Sequence, residues 1–299
     1  MDEIFYSEED LAKWRQAGKI SAEALQYGLS LIKPGASVLE VCDAVDKKIF
    51  SLGARPSFPS QVSLNDVAAH FCPDAEDKLI LSDQVVKLDV GASVDGFLGD
   101  TAATVDLSGR HEKLVAASKD ALAAAVSVAK AGVRLNELGR VIEQKINSYG
   151  YRPIINLSGH GIGKFQVHTS PTVPNFDNRD EELLYDGQFI AIEPFATNGS
   201  GSIYESTTPT VFMQVAKKPV RSSDARQLLA EIQKYEGLPF ARRWLEGNTF
   251  KVNFALRQLI SAGCVQVFPP LVERNHGLVS QAEHTVLVRK DGCEVLTAV

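Results

Sequence analysis

The stretch VVKLDVGASVDGFLGDTAATVDL, residues 85–107, has the apolar composition of buried strands, yet it contains Asp89 and Asp100. These two aspartates are 11 residues apart, so on one continuous strand they would point to opposite faces. The segment between them, GASVDG, contains two glycines and the turn pair Asp95-Gly96. The sequence therefore predicts a hairpin that turns the second strand back along the first.

Symmetric pairing about this turn would set Asp89 directly opposite Asp100, Lys87 opposite Ala102 and Val85 opposite Thr104. Opposed residues have Cβ atoms about 4.5 to 5.5 Å apart, and two like charges at that distance are destabilising. A protonated carboxyl group, a bridging Lys87 or a multivalent cation could each relieve the repulsion. The pair alone does not decide between these three.

A repeat divides the chain into two related halves. The segment GASVLEVCDAVDKKIFSLGARP (35–56) aligns without gaps on GVRLNELGRVIEQKINSYGYRP (132–153), and eight of the 22 positions are identical. Each copy is followed by a histidine-containing loop and then by a strand with an acid, Asp89 in VVKLDV and Glu193 in FIAIEP. Chance similarity between amphipathic helices would not explain the matched glycines and Arg-Pro pairs. The repeat predicts an α+β fold in which each half has helices followed by antiparallel strands.

Helix signals fill the remaining segments. Ser7 precedes three acids and predicts a helix start, and the apolar period continues to a stop at Pro34-Gly35. A second helical pattern runs from Leu39 to Gly53, and a last strand is predicted from Ala282 to Val288.

Residues 217–275 interrupt the second half and are named here the basic segment. This segment holds ten Lys and Arg residues against five Asp and Glu residues, a net charge of +5, which leaves −11 on the rest of the chain. Three short helical patterns are predicted in it: Leu228 to Tyr235, a helix opened by Pro239, and Phe250 to Ile260. We expect one catalytic domain over 1–299, with 217–275 as an inserted helical subdomain.

Composition limits the class of protein. The 299 residues contain no apolar run long enough for a membrane span, and the N-terminus MDEIFYSEED is acidic rather than signal-like. The net charge of −6 argues against DNA as a main ligand. The four cysteines lie far apart, which is typical of reduced thiols. We expect a cytoplasmic protein without membrane contact, and a monomer because no interface stripe is left over.

Further acids and one histidine fit the same chemistry as the aspartate pair. Glu193 ends an apolar strand, Glu283 begins the last one, and His160 lies among the glycines of SGHGIG. Taken singly, Glu283 would be a solvated charge and His160 a hydrogen-bonded structural group. Taken together with Asp89 and Asp100, these residues suit a pair of divalent first-row ions.

The order of these five residues resembles that of the metal ligands in the methionine aminopeptidases, which have the pita-bread fold. The resemblance covers nearly the whole chain, and the basic segment is the feature that separates type 2 enzymes from type 1. The short N-terminus resembles the archaeal type. The stretches that look like type 2 enzymes are SLNDVAAHFCP, KLDVGASVDGFLGDTAATV, SGHGIGKFQVHTSPTVPNF, AIEPFAT, LPFARRW, FPPL and QAEHTVLV.

The resemblance implies a ligand set for two divalent metal ions, which could be Co, Mn, Fe or Zn. Asp89 would chelate one ion, and His160 and Glu193 would hold the other. Asp100 and Glu283 would bridge them. Glu193 would also relay the proton of the attacking water.

The resemblance also implies the residues that contact the substrate, a nascent polypeptide N-terminus. His70 would face the scissile amide nitrogen, and His168 would hydrogen-bond the developing oxyanion. Phe58, Phe195 and Phe268 would form the pocket for the methionine side chain. Phe268 stands where eukaryotic enzymes tend to have Tyr, which makes the pocket wall less polar.

Two other functions remain open from the sequence. An Xaa-Pro aminopeptidase or prolidase shares the five ligands but usually carries a large extra N-terminal domain, and only about 30 residues precede the first repeat here. A non-catalytic relative could bind the ribosome or a protein, although intact ligands argue against binding alone. The basic segment could still bring an active enzyme to the ribosome. Alternatively Arg242, Arg243 and Lys251 simply solvate exposed helices.

Overall fold

The computed structural model describes residues 6–298 as a mixed α+β structure. Its α-helices are α1 (Glu8–Leu31), α2 (Val38–Ser51), α3 (Glu112–Val128), α4 (Leu135–Ser148), α5 (Ser223–Glu231) and α6 (Thr249–Ser261). Its strands are β1 (Arg55–Leu64), β2 (Val67–Ala69), β3 (Val85–Val94), β4 (Phe97–Asp106), β5 (Arg152–Pro153), β6 (Ser158–Gly163), β7 (Gln166–Pro174), β8 (Phe189–Ile192), β9 (Phe195–Thr197), β10 (Ile203–Glu205), β11 (Val211–Gln214), β12 (Phe240–Ala241), β13 (Val265–Phe268), β14 (Leu271–Glu273), β15 (Val279–Gln281), β16 (Glu283–Arg289) and β17 (Gly292–Val295).

One antiparallel sheet of eight strands organises the molecule. Its order is β1-β3-β4-β16-β8-β6-β7, with β17 added beside β16. The predicted last strand is β16, which is followed along the chain by β17 and lies inside the sheet. Because β16 pairs with β4 on one side and β8 on the other, it joins strands from the two halves. Three small sheets, β10-β14-β2, β12-β11-β13 and β15-β9-β5, complete the β-structure.

The first helix has the predicted start. The Ser7 side chain accepts a hydrogen bond from the Asp10 backbone N–H, and the Asp10 carboxylate accepts one from the Ser7 N–H, which forms a capping box. The helix ends at Leu31, shortly before Pro34. None of the helices between residues 6 and 298 combines the length and the apolar composition needed to cross a membrane.

The internal repeat is confirmed by the backbone. Helices α2 and α4 both have 14 residues, and both of their ends are offset by the same 97 residues as the repeat. Gly35 and Gly132 precede them with φ values of 88° and 86°, a region that glycine enters without steric cost. The N–H of Gly35 donates to Leu81 O at 2.7 Å, and that of Gly132 to Leu184 O at 2.8 Å.

The helices cover the sheet, and strand alternation decides which side chains face them. In β3, Leu88 and Val90 are buried in the cluster that contains the apolar residues of α1 and α2. In β8, Ile190 and Ile192 belong to the equivalent cluster around α3 and α4. Because successive side chains alternate, Asp89 points away from the helices. Glu193 follows Ile192 in the same alternation.

The basic segment is less helical than the sequence predicts. Helices α5 and α6 are present, but Pro239 opens no helix: it precedes the short strand β12, and Arg242–Trp244 form a single 3-10 turn. Strands β12 and β13 pair with β11, which lies just before the segment, and the three strands form a small sheet. A separate apolar cluster, which includes Leu228, Phe240 and Leu256, fills the space between these elements.

Candidate metal and peptide-binding site

A cavity of about 640 Å³ lies where the two halves meet. All five predicted metal ligands line it, together with the two predicted substrate histidines. A second cavity, of about 570 Å³, lies between the basic segment and the β3–β4 turn, but no histidine lines it. The first cavity is lined by Phe58, Gln61, Ala69, His70, Asp89, Asp100, Asn156, Leu157, Ser158, Gly159, His160, Val167, His168, Thr169, Ser170, Thr172, Glu193, Phe195, Leu271 and Glu283.

The hairpin is confirmed, but its predicted register is wrong by two residues. Asp100 lies opposite Gly91 and Asp89 opposite Ala102, because the turn contains only Asp95 and Gly96. A shift of two residues preserves the face of the sheet, so both aspartates still reach the cavity. They are diagonal neighbours rather than a directly opposed pair.

The second half supplies the other ligands from three strands. His160 lies within strand β6 rather than in the loop that the glycines suggested, Glu193 follows β8, and Glu283 opens β16. Asp100, His160 and Glu283 each offer a ligand atom, and these atoms all lie within 4.8 Å of one another. His160 Nε2 is 3.5 Å from Glu193 Oε1. The five side chains thus line one cavity from both halves.

The electrostatics of this cluster are those of crowded carboxylates. Burial raises the pKa of Asp89 to about 6. Burial and neighbouring carboxylates raise the pKa values of Asp100, Glu193 and Glu283 well above their usual range. Burial also lowers the pKa of His160, to about 3. Four acids and a neutral imidazole in a buried site fit a divalent cation, which would compensate the repulsion that burial makes costly.

Lys87 does not bridge the carboxylates. Its buried Nζ instead donates to the backbone oxygens of Asn65 and Val279, both at 3.0 Å. Of the three ways to relieve the repulsion between Asp89 and Asp100, the lysine bridge is therefore excluded. Burial lowers the pKa of Lys87 to about 7.

The two predicted substrate histidines come from different halves. His70 follows strand β2 with a φ of 65°, and burial, with a contribution from His168, lowers its pKa to about 4. His168 lies on β7, and its ring centroid is 4.4 Å from that of His160. His168 stays exposed to the cavity, while the protein atoms around its ring lower its pKa. Both imidazoles are therefore neutral near pH 7.

The predicted pocket phenylalanines are all buried, but they do not play equivalent parts. Phe58 and Phe195 line the cavity. Phe268 is not among the lining residues, and its ring centroid is 5.3 Å from that of Phe58 and 5.6 Å from that of His70. Phe268 therefore packs edge to face against both of these rings.

Glutamine and threonine side chains that the sequence analysis missed also hold the site. Gln281 Nε2 donates to Asp89 Oδ2 at 3.3 Å and to Glu193 Oε2 at 3.5 Å, so one amide contacts an acid of each half. Thr285 Oγ1 accepts from Asp100 N at 2.8 Å. Gln281 and Thr285 each lie two residues from Glu283. Because side chains two apart on an extended chain share a face, this spacing could have indicated that both lie near the site.

Comparison with known proteins places this geometry in a family. The sequence profile of metallopeptidase family M24 matches residues 12–290. The methionine aminopeptidase of Methanocaldococcus jannaschii is 42% identical over 291 residues, which cover 97% of this chain and 99% of that one. The solved methionine aminopeptidase of Thermotoga maritima superposes with a TM-score of 0.72 at 23% identity and 99% coverage of both chains.

A prolidase from Pyrococcus furiosus shares the fold, with a TM-score of 0.66 and 18% identity. The match covers 99% of this chain but 66% of the prolidase. At this identity the likeness concerns the fold alone. The profile match and the full-length relatives agree: the chain belongs to metallopeptidase family M24, and within it to the methionine aminopeptidases.

Proposed function

We propose that this protein is a metal-dependent aminopeptidase that removes the N-terminal methionine from nascent polypeptides. The observation that carries the proposal is the convergence of five metal-ligating side chains and two histidines on one cavity between the halves. The name and full-length similarity of the Methanocaldococcus jannaschii relative support methionine as the residue removed.

The metal site would hold two divalent ions, either Co, Mn, Fe or Zn. Asp89 would bind one ion, His160 and Glu193 the other, and Asp100 and Glu283 would bridge the two. When bound, such ions supply Lewis acidity and lower the pKa of a water molecule from about 15.7 towards 7. This chemistry makes a nucleophile available at neutral pH.

Three side chains of the cavity would handle protons and developing charge. Glu193 would accept the proton of the attacking water, because its carboxylate lines the cavity among the other candidate metal ligands. His168 would donate a hydrogen bond to the oxyanion that forms on the scissile carbonyl, since its exposed ring faces the cavity. His70 would face the amide nitrogen of the same bond.

Substrate selection would come from the aromatic wall. Phe58 and Phe195 would contact the thioether side chain, and Phe268 would hold Phe58 in place. Sulfur and aromatic rings interact favourably, by about 0.3 to 1.5 kcal/mol per contact. A thioether side chain would therefore be favoured over a hydrocarbon side chain of similar size.

We assign the protein to type 2, of the archaeal-like form, with residues 1–299 as one catalytic domain and 217–275 as its inserted subdomain. The compact apolar cluster within the basic segment supports this division. We also propose a cytoplasmic monomer.

Contact with the ribosome would use the exposed part of the basic segment. Lys217, Lys218, Arg226, Lys251 and Arg257 are exposed, and none pairs with a carboxylate among residues 6–298. Such a surface attracts RNA phosphate. Arg243 cannot take part because its side chain is only 3% exposed, so it does not solvate a helix either.

Hydrolysis of two peptides tests the proposed function. With added divalent metal, a Met-Gly peptide should be cleaved and an Xaa-Pro peptide should not. Asp100→Asn should lose at least about 10³-fold in kcat/KM, since metal catalysis contributes several kcal/mol. Asp95→Asn, in the turn of the same hairpin, is the matched control and should remain active. Equal cleavage by Asp100→Asn and the wild type would contradict the metal mechanism.

A further inference from the structure

Arg243 of the basic segment lies buried against the first half of the chain. Its Nε donates to Asp43 Oδ1 at 3.0 Å and its Nη2 to Asp46 Oδ2 at 2.8 Å. Its Nη1 donates to Pro73 O at 3.3 Å and also contacts Cys72 Sγ. All three guanidinium nitrogens therefore have partners in two different stretches of the chain.

The first stretch leads to His70. Cys72 and Pro73 are two and three residues beyond it, in a segment without regular structure. The backbone oxygen of Cys72 also accepts from Thr210 Oγ1 at 2.6 Å. Because His70 itself has a φ of 65°, which non-glycine residues rarely adopt, the surrounding contacts must hold it in this conformation.

The second stretch leads to Phe58. Asp46 Oδ1 accepts from the Ser60 N–H at 3.1 Å, and Ser60 lies where the pairing of β1 with β3 shifts between Phe58 and Gln61. Gln61 Oε1 in turn accepts from the His70 N–H at 2.6 Å. The irregular part of β1 and the His70 loop are thus fixed to each other and to Arg243.

We propose that Arg243 is a positioning residue that sets His70 and Phe58 relative to the metal site. The inference rests on the roles proposed above for these two residues. The planar guanidinium binds three acceptors in fixed directions, whereas a lysine ammonium carries the charge without this fork. Arg243 acts through its neighbours and does not touch the substrate.

A double-mutant cycle between Arg243→Lys and His70→Ala tests this role on a Met-Gly peptide. Arg243→Lys should lower kcat/KM roughly ten- to a hundredfold, because a small misplacement of a catalytic group is costly. In the His70→Ala background the same change should cost only about threefold, since the effect through His70 is gone and only the effect through Phe58 remains. Arg242→Lys is the matched control: Arg242 pairs with Asp74 of the same loop but does not contact Asp46 or Cys72, and its variant should stay within about twofold of the wild type.

The melting temperature, read together with the kinetics, separates a positioning role from a merely structural one. If Arg243 only held the basic segment in place, Arg243→Lys would lower the melting temperature while each folded molecule kept wild-type kinetics, and this result would overturn the inference. Independent, multiplicative effects in the cycle would also overturn it. If Arg243→Lys does not fold, Asp46→Asn weakens the contact between Arg243 and Asp46 at its other partner. This variant should show the same coupling to His70.

The proposed function can fail separately from this inference. A wild-type protein that binds metal but does not cleave the Met-Gly peptide would contradict the function itself. Wild-type kcat/KM in His70→Ala would contradict the role of His70, and the role of Arg243 with it. An active wild type with an impaired His70→Ala and an unimpaired Arg243→Lys would reject Arg243 alone.

Discussion

The two halves of the molecule share a frame but divide the chemistry. Helices α2 and α4 have the same length and the same preceding glycine turn, and each is followed by an Arg-Pro pair. The strands that come after them differ. The first half continues into the long hairpin that carries Asp89 and Asp100. The second half carries His160 and His168 on strands β6 and β7, and Glu193 directly after the short strand β8.

This difference shows how a repeated unit becomes an asymmetric site. The first half offers carboxylates alone to the candidate metal cluster, and the second adds the imidazole of His160. Each half also contributes one of the predicted substrate histidines, His70 or His168. Strand β16 joins the halves and adds Glu283 between them. The cavity therefore needs both halves, although each half has its own apolar core.

The largest expected effect on activity concerns His168, the predicted substrate histidine of the second half. His168→Ala should lower kcat by about 10²- to 10³-fold and leave KM nearly unchanged, because an oxyanion donor acts mainly in the transition state. Steady-state kinetics on a Met-Gly peptide measure this. His276→Ala, at a histidine whose side chain is 67% exposed, is the control and should be neutral. A kcat near the wild-type value in His168→Ala would contradict the role of His168 in stabilising the transition state.

The next effect concerns the amide that contacts both halves. Gln281→Leu removes the donor to Asp89 and Glu193 and should weaken metal binding and kcat/KM by about 10- to 100-fold, as expected for a group that orients ligands. A metal titration by calorimetry gives the affinity directly. Gln266→Leu, on the exposed side of β13, should behave as the wild type. Unchanged metal affinity in Gln281→Leu would mean that the two acids are oriented independently.

The sequence predicted the repeated frame because its determinants are local. Glycines 35 and 132 fix the turns before the helices, and alternation along each strand fixes which face an acid takes. The register of the hairpin was missed because it depends on the turn itself. Asp95 and Gly96 both have positive φ, which makes a two-residue turn and moves the pairing by two positions.

The supporting residues of the site could not be predicted in the same way. Arg243 meets Asp46 across 197 positions of sequence, and Gln281 meets Asp89 across 192. Such contacts depend on how the halves and the basic segment pack. The period of two from Glu283 indicates the face that Gln281 takes, but it does not indicate which acids Gln281 contacts. The sequence therefore indicated which residues carry the chemistry but not which ones hold them.

Proton release tests whether the carboxylates of the two halves form one coupled cluster. In the metal-free protein, burial and neighbouring carboxylates raise the pKa values of Asp100, Glu193 and Glu283, so these groups hold protons to higher pH than ordinary carboxyl groups and metal must displace them. Because protons compete with metal, affinity should rise with pH, by about tenfold per pH unit for each proton released. Calorimetry in buffers of different ionisation enthalpy counts the protons. A buffer-independent enthalpy would show that no net proton is released and would contradict this prediction.

The smallest effect tests whether the frame is equivalent in the two halves. Gly35 and Gly132 have φ values of 88° and 86°, and a Cβ added at either one meets nothing within 4 Å. Alanine at each position is therefore penalised only by its backbone conformation, by about 1 to 2 kcal/mol of unfolding free energy. Equilibrium denaturation of Gly35→Ala and Gly132→Ala should give losses that agree within about 0.5 kcal/mol, and the double variant should lose their sum, because the turns lie in different halves. A much larger loss of unfolding free energy at one glycine would mean that the two turns contribute unequally to stability, although their backbone conformations are the same.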